Sequence, residues 1–155
     1  MESTNENKLY QVAEIQLTYK SNVKPSQRPR INGSRDAFNI LKENWDDGKI
    51  ELVEQFKAVF TNRANKVLGI LDVSTGGVTG TVADPRVIFA AAIKASACGL
   101  IVAHNHPSGN LIASQSDIEL TTRLREAGKI LEVQLLDHII ITTEGYFSFA
   151  DEGML

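Results

Sequence analysis

Two histidines and one aspartate in this chain have the residue types and spacing of a metal site. His104 and His106 flank a single asparagine, and Asp117 follows in the next segment. Residues two apart on an extended chain face the same way, so both imidazoles can reach one point. Pro107-Ser108-Gly109 then turns the chain toward a predicted helix that would carry Asp117. This set suits Zn²⁺, and three protein ligands leave a fourth position for water, as in catalytic zinc sites.

Hydrolysis at such a site also needs a base and a group that stabilises negative charge. Water bound to zinc ionises near neutral pH and becomes a nucleophile. Glu54 begins a predicted strand that would lie beside the strand ending at His104, so it is the expected general base. The Ser114 hydroxyl is expected to donate to the oxyanion. The sequence therefore predicts one zinc per chain, with Glu54 and Ser114 as catalytic residues.

Each of these residues also has a structural interpretation. Ser114-x-x-Asp117 is a helix capping box, with Asp where Glu or Gln is more usual. Glu54 taken alone is typical of a solvated edge residue. The whole pattern at fixed spacing favours the metal site, because the structural interpretations require several coincidences. Asp137 and His138 lie in an apolar strand, where a structural role is favoured and orientation of a ligand imidazole is the alternative.

Alternating strands and helices surround these residues, which predicts an α/β or mixed α+β architecture. The predicted strands are Lys8–Tyr19, 54–61, 66–73, 100–103, 132–142 and 146–149. In the first strand, the positions expected to be buried are Val12, Ile15, Leu17 and Tyr19. Helices are predicted from an N-cap at Ser34 to about Asp46, from the cap Asp84-Pro85 toward Gly99, and over 114–128.

Composition favours one globular domain in a reducing compartment. The chain has 155 residues, of which 43% are hydrophobic and 23% charged. The single cysteine, Cys98, excludes an internal disulfide and a multi-cysteine metal site. We find neither a long apolar run nor a secretory signal, so the expected location is the cytoplasm, away from the membrane.

The net charge of −3 does not indicate a duplex-binding protein. One basic loop departs from this balance, and it comprises Lys20, Lys24, Arg28, Arg30 and Arg35. A solvated loop is the favoured interpretation, and a weak contact to DNA phosphates is the alternative.

The motif His104-x-His106, followed by Ser114-x-x-Asp117 and preceded by a glutamate, resembles the JAMM motif of the MPN/JAB metallopeptidases. Further segments are similar to bacterial RadC-like proteins: AHNHPSGN, SQSDIELTTRL, LLDHIII, DPRVIFAAAIKA and YFSFADEGML. The resemblance covers residues 51–155 and implies a JAB domain there, a curved mixed sheet flanked by helices as in cytidine deaminases. Residues 1–50 are then an N-terminal extension of strand, basic loop and helix, packed on the core.

The resemblance implies a zinc-dependent hydrolase acting on peptide or isopeptide bonds, with a family-level link to DNA repair. It assigns His104, His106 and Asp117 to the metal and Ser114 to the oxyanion. It favours Glu54 as the base, because Glu54 precedes Gln55-Phe56 as in the family's E-x-F strand. Glu51, three residues earlier, has the opposite alternation and is the alternative base. The substrate and the oligomeric state stay open.

Other functions fit the sequence less well. Nucleases named for His-Asn-His distribute those residues over a hairpin and a helix, whereas here they are adjacent. Nucleobase deaminases need His-x-Glu and Pro-Cys-x-x-Cys, which a chain with one cysteine cannot supply. A non-catalytic zinc-binding or DNA-repair-associated module remains the alternative. RadC-like proteins commonly carry an N-terminal helix-hairpin-helix region, which this extension replaces, and this weakens transfer of the repair role.

Overall fold

A five-stranded mixed sheet forms the centre of the structure, a computed structural model that describes residues 9–77 and 80–155. In chain order the strands are β1 (Gln55–Thr61), β2 (Val67–Thr75), β3 (Gly99–Asn105), β4 (Gln134–Ile141) and β5 (Tyr146–Ser148). They stand in the order β2-β1-β3-β4-β5. β3 and β4 are parallel and the other neighbours antiparallel. The predicted mixed α+β class is confirmed.

Among the described residues, three α-helices cover the sheet, namely α1 (Ser34–Glu43), α2 (Pro85–Lys94) and α3 (Gln115–Leu131). The predicted cap of α2 is confirmed, because the Asp84 side chain accepts from the Arg86 amide at 2.9 Å. The cap predicted for α1 is wrong: Gly33 occupies the N-cap position and Ser34 is the first helical residue. The Ser34 hydroxyl instead contacts the Tyr146 hydroxyl at 3.0 Å.

Alternation along β1 and β3 divides the core into two layers. One layer, facing α2 and α3, includes Phe56, Ala58, Phe60, Leu100 and Val102. The other, facing α1, includes Val59, Ile101 and Ala103 together with Leu41 and Trp45. Because successive strand residues point to opposite faces, neighbouring residues at the end of β3 must serve different layers.

The connection from β3 to β4 determines where the site lies. β3 and β4 are parallel, so the chain must cross over between them, and α3 is that crossover. The carboxyl end of β3 therefore lies close to the N-terminal turn of α3. His104 is the next-to-last residue of β3, and Asp117 lies in the first turn of α3.

The strand predicted over Lys8–Tyr19 is wrong for residues 9–19, which form no strand; Lys8 lies outside the described residues. The side chains expected to be buried are exposed by 88% at Val12, 88% at Ile15, 71% at Leu17 and 41% at Tyr19. The Tyr19 hydroxyl contacts the Leu68 carbonyl of β2. Alternation favours a strand only where a neighbouring backbone completes the ladder, and here the segment has none.

The first fifty residues also contribute packing to the sheet. Leu41 of α1 is fully buried against the layer that contains Val59, Ile101 and Ile139. The division into an extension and a domain at residue 50 stays a prediction. In the described part of the chain, every helix is too short or too polar to span a bilayer.

Candidate metal centre

The end of β3 brings the two motif histidines together. His104 lies in the strand with 1% of its surface exposed, and His106 follows it. The His106 amide donates to the Ile141 carbonyl at 3.1 Å, which continues the direction of the strand for one more residue. As the alternation requires, both rings are on the same side, and their Nε2 atoms are 3.0 Å apart.

Asp117 joins these rings from the first turn of α3. One of its oxygens, Oδ1, lies 3.3 Å from Nε2 of His104, and Oδ2 lies 3.8 Å from Nε2 of His106. The same carboxylate accepts from the Ser114 amide at 2.8 Å, and the Ser114 Oγ accepts from the Asp117 amide at 3.1 Å. The capping box and the cluster therefore share one carboxylate, and the cap orients it.

The turn after His106 fixes the tautomer of that ring. Gly109 has a φ of 82°, which a residue without Cβ adopts readily, and its amide donates to the His106 carbonyl at 3.0 Å. The turn returns the Asn110 carbonyl to 2.6 Å from Nδ1 of His106. A carbonyl can only accept, so Nδ1 carries the proton and Nε2 keeps its lone pair toward the cluster.

A chain of buried hydrogen bonds fixes the tautomer of His104. The Thr121 hydroxyl is 2.6 Å from the Asp117 carbonyl, to which it must donate. Its oxygen therefore accepts from Nδ1–H of His138, 2.7 Å away. Burial, the largest influence, lowers the pKa of His138 well below its usual value, so the ring is neutral. Its Nε2 consequently accepts from Nδ1–H of His104 at 2.8 Å, which leaves the Nε2 lone pair of His104 facing the cluster.

Three acceptor atoms thus converge where a cation fits. One ligand atom from each of His104, His106 and Asp117 lies within 4.8 Å of the others. Burial raises the pKa of Asp117, but its contacts with His104 and with the Ser114 amide hold that pKa well below its usual value. The carboxylate is therefore ionised. Two lone pairs and a carboxylate in close contact repel one another unless a cation lies between them, and this donor set is one that Zn²⁺ prefers.

The cluster borders an open cavity of about 580 Å³. Glu54, Ser114, His106 and Asp117 all line it, so both predicted catalytic residues lie on the same cavity as the cluster. The Ser114 Oγ accepts within the cap, which leaves its O–H to donate. Glu51 points elsewhere, and its carboxylate accepts from the Thr143 hydroxyl at 3.2 Å. Their roles in a reaction stay predictions.

Residues 31–154 match the model of the RadC-like JAB domain family. The chain belongs to this family. The match begins before residue 51 and therefore includes α1. A UPF0758 protein of Flavobacterium johnsoniae is 43% identical over 125 residues, which cover 81% of this chain and 53% of the relative.

Two further relatives of this RadC-like JAB domain show similar coverage. A UPF0758 protein of Syntrophotalea carbinolica is 42% identical over 148 residues, 92% of this chain and 64% of the relative. One from Chlorobaculum tepidum is 34% identical over 151 residues, 97% of this chain and 67% of the relative. The chain therefore spans about half to two thirds of the length of these relatives. Their shared name states neither a reaction nor a substrate.

Two supporting residues of this JAB domain were missed in the sequence, and a third was weighed differently. Thr121 carried no signal, because its role depends on α3 packing against β4. Asn105 was passed over as the spacer between two histidines. His138 was interpreted chiefly as structural, and its contact with His104 supports the alternative of orienting a ligand. Asp137 ties β4 to the C-terminal segment, since it accepts from the Ser148 hydroxyl and the Ala150 amide at 2.6 and 3.0 Å.

Proposed function

We propose that this protein is a zinc-dependent hydrolase of the JAMM type that cleaves peptide or isopeptide bonds. The observation that carries the proposal is the convergence of two histidine lone pairs, each fixed by its tautomer, and the Asp117 carboxylate. This convergence lies on a cavity that Glu54 also lines, and the Glu54 carboxylate would serve as the base. A structural zinc site would use four protein ligands and would not need an adjoining cavity.

The three ligands would hold one Zn²⁺, with His104 buried at the base and His106 nearer the cavity. A zinc ion bound there supplies a Lewis acid that polarises a carbonyl and acidifies water. The His138–Thr121 chain keeps the His104 lone pair directed at that position, and the Asn110 carbonyl does the same for His106.

Glu54 is the proposed general base. Its carboxylate removes a proton from the attacking water and delivers it to the leaving nitrogen, which lets the amine depart as a neutral group. Continuing the register that pairs Phe56 with His104 by two residues places Glu54 opposite His106. From a position opposite His106, the Glu54 carboxylate would reach a water molecule that lies beside the histidine ligands.

Ser114 is the proposed oxyanion donor. Its oxygen accepts from the Asp117 amide, so its proton is directed away from the helix. The hydroxyl lies on the same cavity as Glu54, where it can donate to the carbonyl oxygen as negative charge develops.

The test uses zinc-loaded protein and a peptide library prepared from a bacterial proteome, including branched peptides with lysine isopeptide bonds. New amino termini and released lysine side chains are identified by mass spectrometry. We expect Glu54→Gln to abolish cleavage while zinc content is kept, and Glu51→Gln to leave both unchanged. Equal cleavage by wild type and Glu54→Gln would remove Glu54 from the mechanism, and loss of cleavage only in Glu51→Gln would transfer the role to Glu51.

A second candidate function is a binding module that contacts DNA through the basic loop. It is favoured by the exposure of Lys20, Lys24 and Arg30 along one stretch of chain. Arg35 contributes less, because it stacks on the Tyr146 ring with 5.1 Å between the guanidinium and the ring centre. Gel shifts with single- and double-stranded DNA test this function. A shift that weakens steeply with salt and with Lys24→Ala supports it, and no shift at low salt contradicts it.

A further inference from the structure

Asn105, the residue between the two histidine ligands, makes three hydrogen bonds to a distant segment. It is fully buried, and the alternation of β3 places it on the α1 side of the sheet with Ile101 and Ala103. Its Nδ2 donates to the Ile50 carbonyl at 2.8 Å and to the Val53 carbonyl at 2.9 Å. Its Oδ1 accepts from the Gln55 amide at 2.7 Å. One side chain therefore ties the turn of the ligands to the segment that leads into β1.

These three bonds fall on both sides of Glu54. Val53 and Gln55 are its direct neighbours, and both are held by Asn105. The backbone of Glu54 is held from the other side by the residue that follows β2, since the Glu54 carbonyl accepts from the Gly76 amide at 2.8 Å. The main chain at Glu54 is thus fixed between the ligand turn and the edge strand.

This fixation determines where the Glu54 side chain points. Continuing the register of β1 and β3 by one residue places Gln55 opposite Asn105, and strand alternation puts both residues on the α1 face with Val59 and Ala103. Glu54 must then point to the opposite face, where His104 and His106 present their Nε2 atoms. The same contact that pins Gln55 therefore turns Glu54 into the cavity.

The chemistry of the contact requires a carboxamide. Two carbonyls need donors and one amide needs an acceptor, and asparagine supplies both from one short side chain. Aspartate would lose both donors, and an apolar residue would leave all three backbone groups buried without partners. An unpartnered buried group is costly, so the segment would shift to find water.

We propose that Asn105 is a positioning residue that holds Glu54 at the metal centre. This inference rests on the proposed function, and it adds that one residue connects the segment carrying the two histidine ligands to the segment carrying the base. Removing the contact should displace Glu54 without removing any ligand. Because a misplacement of about 1 Å can cost about 100-fold in rate, the contact is expected to matter for catalysis more than for metal binding.

The test uses the full chain loaded with Co²⁺, whose visible absorption reports ionisation of solvent on the metal. The pH midpoint of the spectrum is measured for wild type, Glu54→Gln, Asn105→Ala and the double variant, with cobalt affinity measured in parallel. The control is Asn62→Ala. Asn62 caps the opposite end of β1 through the Ala64 and Lys66 amides, both at 3.0 Å, far from the ligands in the strand.

We expect Asn105→Ala to reproduce most of the midpoint change caused by Glu54→Gln, with cobalt affinity within threefold of wild type. The midpoint of the double variant should equal that of Glu54→Gln, because both substitutions remove the same effect of Glu54 on the metal-bound solvent. The backbone amide proton of Gln55 should exchange with solvent faster in Asn105→Ala than in wild type. The control Asn62→Ala should have the same pH midpoint as wild type. If Asn105→Ala does not fold, Asn105→Ser, which keeps a small polar group, takes its place.

Three outcomes overturn the inference. A wild-type midpoint in Asn105→Ala alongside a changed midpoint in Glu54→Gln would separate Asn105 from the base and leave the proposed function intact. Loss of cobalt by Asn105→Ala would make it a support of the ligands instead. A wild-type midpoint in Glu54→Gln would show that Glu54 is not beside the metal, and would remove the assigned base together with the inference.

Discussion

At the carboxyl end of β3, neighbouring residues meet two different surroundings. On the α3 side, His104 hydrogen-bonds to His138 through one nitrogen and keeps the other directed at His106 and Asp117. On the α1 side, Asn105 closes all three of its hydrogen bonds onto backbone groups. His104 thus keeps an acceptor that a metal ion could use, whereas the donors and the acceptor of the Asn105 side chain are all used by the backbone. The proposed metal centre lies on the α3 face, and the contacts that fix the neighbouring backbone lie on the α1 face.

The layers behind these residues differ in the same way. The α3 side mixes apolar packing with polar partners, since His138 stacks on Phe149 with 4.7 Å between ring centres while also bonding to Thr121. On the α1 side, Leu41 and Ile50 are buried in the apolar layer, and the buried Lys57 ammonium lies 5.1 Å from the centre of the Trp45 ring, away from the histidine cluster. We therefore expect substitutions on the α3 side to change metal binding, and those on the α1 side to change stability and base geometry.

The largest effect is expected from His106→Ala. The substitution removes one of three ligands on the reactive face, so zinc content should fall from about one per chain to background after dialysis, measured by plasma mass spectrometry. Ser108→Ala, in the same turn, should keep its zinc. Full zinc in His106→Ala would show that the metal is bound elsewhere.

Leu41→Ala tests the rigid face. The side chain is fully buried in the α1 layer, so its truncation should lower the free energy of unfolding by about 2–5 kcal/mol, measured in urea. Zinc affinity of the folded variant should stay near wild type. The exposed Ile93 of α2, with 49% of its surface accessible, provides the control Ile93→Ala, which should cost much less. A Leu41→Ala variant that folds stably but loses zinc would contradict the separation of the two faces.

Thr121→Val tests the relay behind His104, by which we mean the hydrogen bonds that link Thr121 to His138 and His138 to His104. Without the hydroxyl, Nδ1 of His138 loses its acceptor, and the ring can move its proton to Nε2. His104 would then carry its own proton on Nε2, in the position of the metal. We expect zinc affinity to fall about 10- to 100-fold, measured by competition with a chelator.

The matched control for the relay is Thr122→Val. Thr122 makes the same kind of bond to the carbonyl four residues earlier, at 3.0 Å, but is exposed and faces away from His138. Its zinc affinity should equal that of wild type. Imidazole nitrogen spectra of metal-free protein should show Nδ1–H at His104 in wild type and a mixture in Thr121→Val. Equal zinc affinity in Thr121→Val and Thr122→Val would show that the relay does not contribute to metal binding.

The comparison also explains which features the sequence could predict. Strand alternation and helix capping are local, so the spacing of His104, His106 and Asp117 was enough to predict that these side chains lie together. Asn105 and Thr121 act on residues that only the folded sheet brings near, and a residue type between two ligands does not reveal its partner. The strand predicted over Lys8–Tyr19 failed for the same reason, because its alternation is local whereas a strand requires a neighbour.

Ser114→Ala is expected to have the smallest effect on folding and distinguishes an exposed contact from a buried one. Losing the cap should cost about 1 kcal/mol in the free energy of unfolding, because Ser114 is exposed and water can replace its hydroxyl at the Asp117 amide. Zinc should stay bound, since the Ser114 amide still orients the Asp117 carboxylate. Asn105→Ala removes the partner of three backbone groups, two of them in buried contacts, and should cost more. A larger loss of stability in Ser114→Ala than in Asn105→Ala would reverse the assignment of rigidity to the α1 face.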